Sequence, residues 1–286
     1  MPRRSGVLIR RAVSRRALIL AALSFALALA ASAEPPRRVV SLNPSLTAMA
    51  LALGARAQLV GVDDFSARQE AEARDLPRVG GLYDSSLEAV IALRPDLVML
   101  VPSAEQRSFQ EQLAALGIRR FVADPTSYDE VLATITAVGA ALGRTREAAA
   151  RVAELRAARE RAEAASAQRP RVRVLLVLQR DPLFVAGAGT FVDDMLRAAG
   201  ADNLAAELPG AWPRGSREWL LAARPEVILD STDEPEPAAE FWARWPSLRA
   251  RVVSLPAGAV TLPGPQLDRA LALIEGALHP RAAAAP

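Results

Sequence analysis

Among the residues that could take part in binding or catalysis, two glutamates occupy equivalent positions in a repeated sequence pattern. Glu88 and Glu218 lie 130 positions apart, at the same place in two matching stretches, SSLEAVIALRPDLVML and GSREWLLAARPEVILD. In each stretch a Ser can cap a helix, the Glu stands in its first turn, and Arg-Pro ends the helix before a short apolar strand. Each glutamate could simply stabilise its own helix terminus. Alternatively, the pair forms matched anionic docking points on two lobes for a two-fold symmetric partner.

Residues for catalysis or metal binding are scarce. His279 is the only histidine and lies near the carboxyl terminus, and the chain has no cysteine. A Ser-His-Asp triad or a His-rich zinc site would need histidine elsewhere, and an iron–sulfur cluster would need cysteine. Adjacent Asp63 and Asp64 could bind a metal, but ligand-facing polar groups or helix caps are commoner. We therefore expect no enzymatic activity, no resident metal and no cofactor.

Aromatic residues in two loops point to a flat ligand. Trp212 lies in the loop LPGAWP, shortly before the helix that carries Glu218. Leu82 and Tyr83 precede the helix of Glu88 in the same way. If the two lobes face each other, these loops line the cleft from opposite sides and offer large apolar contacts. Packing in the core is the alternative, chiefly for Tyr83.

The first 33 residues are typical of a secretory signal peptide. Six arginines are followed by an apolar run over residues 17–30 and an A-x-A cleavage site at residues 31–33. An uncleaved anchor helix is the alternative, and an Arg pair at 15–16 is compatible with twin-arginine export. Without a lipobox cysteine, we expect a freely soluble periplasmic protein with no lipid anchor.

The charge balance depends on this leader. The whole chain has 35 basic and 32 acidic residues, and the leader holds six of the basic residues and none of the acidic ones, which leaves 29 against 32. The high isoelectric point thus belongs to the leader and is no signal for nucleic-acid binding.

The rest of the chain alternates short apolar strands with helices, as in parallel α/β sheets. The expected strands are 38–42, 59–62, 97–101, 119–123, 171–178, 183–185, 226–229 and 251–255. The expected helices are 47–53, 105–116, 128–142, 191–199, 238–243 and 266–278, besides those of the two matched stretches. Residues 43–47 are predicted to form a turn, residues 63–66 a loop and residues 187–190, GAGT, a plain β-to-α turn.

Residues 145–168 lack Gly and Pro and predict a stiff helix of about 24 residues, roughly 36 Å long. The predicted fold is therefore two doubly wound α/β lobes with mainly parallel sheets, joined by one long interlobe helix. The expected ranges are a signal peptide at 1–33, lobes at 34–143 and 170–280, a connecting helix at 144–169 and a disordered tail at 281–286.

Four segments resemble a known family: RVVSLNPSLT, LVGVDDFS, LPRVGGLYDSSLEAVIALRPDLVML and AWPRGSREWLLAARPEVILD. They are similar to the periplasmic substrate-binding proteins of cobalamin, haem and iron-siderophore importers, over the whole chain after the leader. The P-x-x-G-G run and the WP before S-x-E follow the cobalamin-binding members. Where those members have a Trp before the first S-L-E segment, this chain has Leu82 and Tyr83.

The resemblance implies that the lobes move little on ligand binding. It also implies that the protein docks to an ABC permease dimer through Glu88 and Glu218. It also implies that Phe65 and Trp212 contact a corrin ring, with Tyr83 beside them. Ser45 and Asp64 could meet the amide rim of that ring. The resulting hypothesis is a monomeric protein that delivers cobalamin to the permease. Haem, with Tyr83 as phenolate ligand, or a ferric siderophore is the alternative, and a periplasmic enzyme on this scaffold is a remote one.

Overall fold

Short apolar strands form a parallel sheet in the N-terminal half. The computed structural model describes residues 34–82, 84–103 and 107–280. Within them, the first sheet consists of β1 (Val39–Ser41), β2 (Leu59–Val62), β3 (Leu97–Leu100) and β4 (Arg119–Val122), in the order β2-β1-β3-β4. All its pairings are parallel. Strands β1 and β3 are buried at every position because helices cover both faces of the sheet.

The helices of this half are α1 (Pro44–Ala52), α2 (Asp64–Gln69), α3 (Leu87–Ala92), α4 (Arg107–Ala115) and α5 (Tyr128–Leu142). Helix α5 has the predicted bounds: Ser127 and Glu130 form a capping box at its start, and Gly143 takes a φ of 70° at its end. Left-handed backbone of this kind favours glycine, which explains why the helix stops there.

The C-terminal half contains the second sheet. Its strands are β5 (Val172–Gln179), β6 (Phe184–Val185), β7 (Ala201–Asn203), β8 (Val227–Asp230) and β9 (Arg251–Ser254). Their order is β6-β5-β8-β9, and β7 also pairs with β5. Only the β5–β6 pairing is antiparallel among these described strands. Strand β7 reads ADN and lacks an apolar run, which is why its sequence did not predict a strand.

The long helix predicted between the lobes is α6 (Thr145–Ser166), with 22 residues rather than about 24. The remaining helices are α7 (Phe191–Ala198), α8 (Arg217–Ala223), α9 (Ala238–Ala243) and α10 (Leu267–Leu278). Helix α6 buries a narrow stripe consisting of Ala148, Val152, Leu155 and Ala162. It packs against α5 of the first half and against α7 and α10 of the second. The doubly wound architecture with a connecting helix is therefore confirmed.

One hydrophobic core runs through both halves. It includes Val39 and Met99 of the first sheet, Leu155 of α6, and Val174 and Leu229 of the second sheet. The opposite faces of the two sheets have separate cores, because alternate strand residues point to opposite sides. Val40 belongs to the outer core of the first sheet, and Ile228 to that of the second.

Candidate functional site

A buried carboxylate organises the carboxyl end of β2. Asp63 is fully buried and caps α2, where its Oδ1 accepts hydrogen bonds from the backbone N–H groups of Phe65 and Ser66, both at 2.9 Å. The Ser66 hydroxyl also hydrogen-bonds its Oδ2. Burial raises the pKa of Asp63, and these hydrogen bonds oppose that rise only in part. The loop predicted for residues 63–66 is therefore wrong: an Asp side chain at this position starts a helix.

Three buried hydroxyl-bearing residues connect this carboxylate to the end of β1. The Thr47 hydroxyl lies 2.8 Å from the hydroxyl of Ser41 and 2.8 Å from that of Ser66. All three side chains are fully buried. This polar network fixes the positions of α1 and α2 at the sheet edge, where parallel α/β sheets bind ligands.

Helix α2 presents the first predicted ligand aromatic. Phe65 is 44% exposed, and the Arg68 guanidinium carbon lies 4.6 Å from its ring centre. Asp64 is half-buried, and its backbone N–H donates to the carbonyl of Gly80 at 2.9 Å. Both predicted residues thus lie at the carboxyl end of β2.

The other three predicted ligand residues of the first half are Ser45, Leu82 and Tyr83, and they differ in where the structure places them. Ser45 lies in the first turn of α1 rather than in a turn before a helix, because the Asn43 side chain caps the helix three residues earlier than predicted. The Ser45 side chain is buried, which leaves it little surface for a ligand. Leu82 is half-buried in the loop before α3. Tyr83 lies outside the described residues.

Trp212 is the predicted aromatic of the second half, and it is 41% exposed. Its ring meets that of Phe191 edge to face, with 6.1 Å between the ring centres and 64° between the planes. The loop is fixed on both sides of Trp212, since the N–H of Gly187 donates to Ala211 at 2.9 Å and that of Val185 to Pro213 at 3.1 Å. Trp212 is therefore an exposed ring on a supported loop.

Phe191 also touches the first half directly. Its backbone N–H donates to the carbonyl of Thr126 at 2.6 Å. Beside it, the backbone N–H of Tyr128 donates to the Asp194 carboxylate at 2.9 Å. Since an N-terminal helix N–H has no partner within its own helix, Asp194 of α7 supplies that partner for α5. Since the ring of Phe191 contacts that of Trp212, these contacts bring Trp212 close to the junction of the two halves.

Glu88 and Glu218 stand in equivalent first turns. Ser86 caps α3 by accepting from the N–H of Ala89 at 3.2 Å, and Ser216 caps α8 by accepting from that of Trp219 at 3.1 Å. Both glutamates are exposed. Hydrogen bonds from its own backbone and from Ser216 lower the pKa of Glu218. The two turns therefore match in structure as well as in sequence.

A matched pair of arginines supports the other ends of these helices, and sequence reasoning missed it. Arg38 donates from its Nη2 to the carbonyl of Leu93 at 2.8 Å, beyond the end of α3. Arg173 donates in the same way to Ala223 at 2.5 Å, at the end of α8. The residues that precede the helix-ending prolines, Arg94 and Arg224, both take a φ of 46°. The signal in the sequence was an Arg at the start of the central strand of each half.

A cavity of about 810 Å³ lies in the C-terminal half, beside Glu218. The sequence did not predict this cavity. Its apolar lining consists of Pro182, Leu183, Leu220, Phe241, Trp242 and Trp245. Its charged lining consists of the basic residues Arg180, Arg214, Arg217 and Arg244 and the acidic residues Asp181 and Glu218.

The positive charge of Arg180, which lines this cavity, is neutralised by a buried ion pair. Its buried guanidinium pairs with Asp230 through contacts of 3.0 and 3.2 Å, and the Trp242 indole N–H donates to the same carboxylate at 2.6 Å. Burial alone would raise the pKa of Asp230, but the hydrogen bonds from Arg180, Trp242 and Thr232 outweigh it and lower that pKa. The other three arginines of the lining remain at the surface.

The described ranges contain no group of three or more His, Cys, Asp or Glu residues placed to hold a metal ion. Asp63 is the N-cap of α2, and Asp64 is the first residue of that helix. Nor does any helix within these ranges have the length and apolar character needed to cross a membrane.

A family model described as periplasmic binding protein matches residues 39–241. The chain belongs to the periplasmic binding protein family. The vitamin B12-binding protein of Photorhabdus laumondii is 31% identical over 225 residues, which cover 77% of this chain and 80% of that protein. The vitamin B12-binding protein of Yersinia pestis is 28% identical over 225 residues, covering 78% and 79%.

Solved structures of this family share the fold. A periplasmic haem-binding protein from Pseudomonas aeruginosa is 29% identical, with a TM-score of 0.73 over 87% of this chain and 94% of that one. The periplasmic vitamin B12-binding protein of Vibrio cholerae has a TM-score of 0.74 over 85% and 97%, at 23% identity. The predicted family is thus confirmed. Its members bind substrates, and this periplasmic binding protein has their two-lobed architecture.

Proposed function

We propose that this periplasmic binding protein captures a cobalamin-type corrinoid between its two lobes and delivers it to an ABC permease. The observation that carries the proposal is Trp212, an exposed ring held by Phe191 at the junction of the halves. The curated relatives named as vitamin B12-binding proteins support the ligand class. Exposed aromatic rings suit a broad macrocycle, because they add apolar contact area with few rotamers to order.

Capture is divided between the two halves. Phe65 and Trp212 hold the apolar faces of the ring from the N-terminal and C-terminal half respectively, with Leu82 beside Phe65. Asp64, half-buried at the end of β2, accepts from amide groups on the rim. We assign Ser45 a minor role, since its side chain is buried.

The lobes move little during capture. A large opening would have to break the core that spans both sheets. It would also have to break the hydrogen bonds from the Phe191 N–H to the Thr126 carbonyl and from the Tyr128 N–H to the Asp194 carboxylate. Closely packed interiors resist that kind of deformation. The ligand therefore enters a preformed cleft, and binding orders few protein groups.

Delivery depends on docking at the exposed pair Glu88 and Glu218. Their equivalent turns support contact with the two subunits of a permease dimer, because matched patches suit a two-fold symmetric partner. We propose that the exported protein is a monomer, that residues 1–33 are removed as a signal peptide, and that it performs no catalysis. Residues 34–143 and 170–280 correspond to the lobes, with residues 144–169 between them.

Haem is the second candidate, favoured by the identity to haem-binding relatives of known structure. An axial iron ligand would be His, Cys, Met or Tyr. The chain has no Cys, and its single histidine, His279, places its ring 3.2 Å from the carbonyl of Ala199. The fully buried residues of the remaining types are Met49, Met99, Met195 and Tyr128. Outside the leader, Tyr83 is thus the remaining axial candidate.

Calorimetric titration of residues 34–286 with cyanocobalamin and with haemin tests the proposal. We expect tight one-to-one binding of cyanocobalamin, which Trp212→Ala weakens by about tenfold or more, as truncation of a buried aromatic contact does. Tyr83→Phe should leave this binding intact. Tight binding of haemin alone, lost in Tyr83→Phe, would replace cobalamin by haem, and binding of neither would contradict both.

A further inference from the structure

The cavity beside Glu218 has the composition of a docking pocket. Its floor is apolar, since Leu220 and Trp242 are buried within it and Phe241 and Trp245 form its walls. Residues 215–218, the turn that carries Glu218, form part of its lining. Any partner that contacts the Glu218 carboxylate therefore also covers this pocket.

The rim of the pocket carries charges of both signs, since the carboxylates of Asp181 and Glu218 line it together with exposed arginines. Within the part of the chain that the structure describes, neither Arg214 nor Arg217 forms an ion pair with a carboxylate. The Arg217 guanidinium carbon lies 5.1 Å from the Trp245 ring centre. This stacking holds the charge over the apolar floor while its N–H groups remain available. The third rim arginine, Arg244, pairs with Glu236 at 2.7 Å.

The equivalent turn of the first half has the opposite character. At the constant spacing of 130, Asp84 corresponds to Arg214 and Leu87 to Arg217. The two glutamates thus lie in unlike surroundings: Glu88 has an acidic and an apolar neighbour, whereas Glu218 has two basic ones. A partner with identical subunits cannot satisfy both turns with the same contacts.

We propose that the pocket beside Glu218 receives a segment of one permease subunit that carries an apolar side chain next to a carboxylate. The apolar side chain fills the space between Leu220 and Trp245, and the carboxylate pairs with Arg217 and Arg214. This docking mode rests on the proposed contact of Glu218 with the permease. A purely basic segment does not suit the pocket, because it would leave Arg214 and Arg217 without a carboxylate and place a charge on the apolar floor.

In the docked complex, the two lobes therefore contact the permease in different ways. A symmetric permease offers the same segment on both subunits, yet in the described residues the turn of Glu88 has Asp84 and Leu87 at the positions that correspond to Arg214 and Arg217. The N-terminal lobe then contributes chiefly through Glu88. Charge at Arg214 and Arg217 should therefore control permease affinity without touching the ligand cleft.

The test uses the full exported protein and the ABC permease–ATPase complex of the same organism in nanodiscs. Surface plasmon resonance measures association of the wild type, of the double variant Arg214→Glu/Arg217→Glu and of Arg156→Glu. Arg156 is exposed on α6, away from the pocket, and serves as the matched charge-reversal control. We expect the double variant to bind at least about tenfold more weakly, as repulsive charges in an interface do, and the control to bind normally. Equal affinity of all three proteins for the permease complex would contradict the proposal that the pocket receives a permease segment.

A photo-reactive amino acid at position 244 identifies what enters the pocket. We expect a cross-link to a permease peptide that contains both an acidic and a large apolar residue. A basic or wholly polar peptide would contradict the assignment. Absence of any association of the wild-type protein, or unchanged association of Glu88→Ala/Glu218→Ala, would instead refute the proposed docking function itself.

Discussion

The backbone N–H of Phe191 donates a 2.6 Å hydrogen bond to the carbonyl of Thr126 and so joins the start of α7 to the loop before α5. The same Phe191 supports the exposed ring of Trp212. One residue therefore couples the position of a ligand-facing aromatic to the contact between the two halves. The geometry of the cleft follows from this coupling rather than from Trp212 alone.

The neighbouring contact from Tyr128 to Asp194 should contribute measurably to stability. In Asp194→Ala, the N–H of Tyr128 loses its acceptor across the junction, so we expect the free energy of unfolding to fall by about 1–3 kcal/mol. Denaturant titration measures this change. Arg197→Ala is the matched control, since it removes the 2.6 Å ion pair on Asp194 but leaves Tyr128 its acceptor. If both variants lose the same stability, the contact across the junction is not the cause.

Gly187 should be required for the placement of Trp212. A Cβ added there would lie 2.4 Å from the carbonyl oxygen of Gly210 and 2.8 Å from Cδ of Pro213. We expect Gly187→Ala to displace the loop, to destabilise the protein by about 1–3 kcal/mol and to weaken cyanocobalamin binding in calorimetry. Gly276→Ala is the control, because a Cβ there meets nothing within 4 Å. Undiminished ligand affinity in Gly187→Ala would show that the loop position does not matter.

The matched glutamates separate docking from capture. We expect Glu88→Ala and Glu218→Ala each to weaken association with the permease by about tenfold or more, since each removes one side of a charge pair. Calorimetric affinity for the ligand should stay at the wild-type value, while uptake by whole cells falls. Glu160→Ala, an exposed change on α6, provides the control. Normal uptake in the double variant would contradict the docking role.

Asp63 should make stability depend on pH in a specific direction. Because burial raises its folded pKa above the ordinary 3.8, the folded protein binds this proton more readily than the unfolded chain does. The stabilisation is therefore fully present below the unfolded pKa and is lost as pH rises through the folded pKa. Asp63→Asn keeps a helix cap but does not titrate.

The unfolding free energy of the wild type relative to Asp63→Asn should thus decline as the pH rises above the ordinary carboxyl pKa of 3.8. Denaturant titrations of both proteins at several pH values measure this difference. A difference that is constant, or that grows with pH, would show that the environment of Asp63 does not disfavour its charged form.

Local signals predicted most of the fold. Alternating apolar strands and helix stops at Gly143 and Arg-Pro correctly indicated two mainly parallel sheets and the long helix α6. Caps were harder: Asn43 and Asp63 start helices where the sequence suggested turns, because the same residue types favour both. Strand β7 has no apolar run, so its pairing with β5 depends on the tertiary structure.

For the candidate site, the sequence could predict exposed residues but not a pocket that the fold assembles. Phe65, Trp212, Glu88 and Glu218 are exposed, as a ligand or partner contact requires. The pocket beside Glu218 escaped prediction because its walls come from α8, α9 and the turn after β5, which lie far apart in the chain. Trp245 and Arg217 gain their common role only when the fold brings their side chains to 5.1 Å.

The continuous core has a consequence for how the molecule comes apart. Val39 of the first sheet and Leu229 of the second belong to one packed cluster. Separating the chain near residue 144 would therefore expose apolar surface on both fragments. Neither fragment would then be a self-sufficient folding module, and heat or denaturant should melt the chain in a single cooperative transition. A biosensor built by splitting this protein would therefore report reassembly of the whole fold rather than closure of two independent lobes.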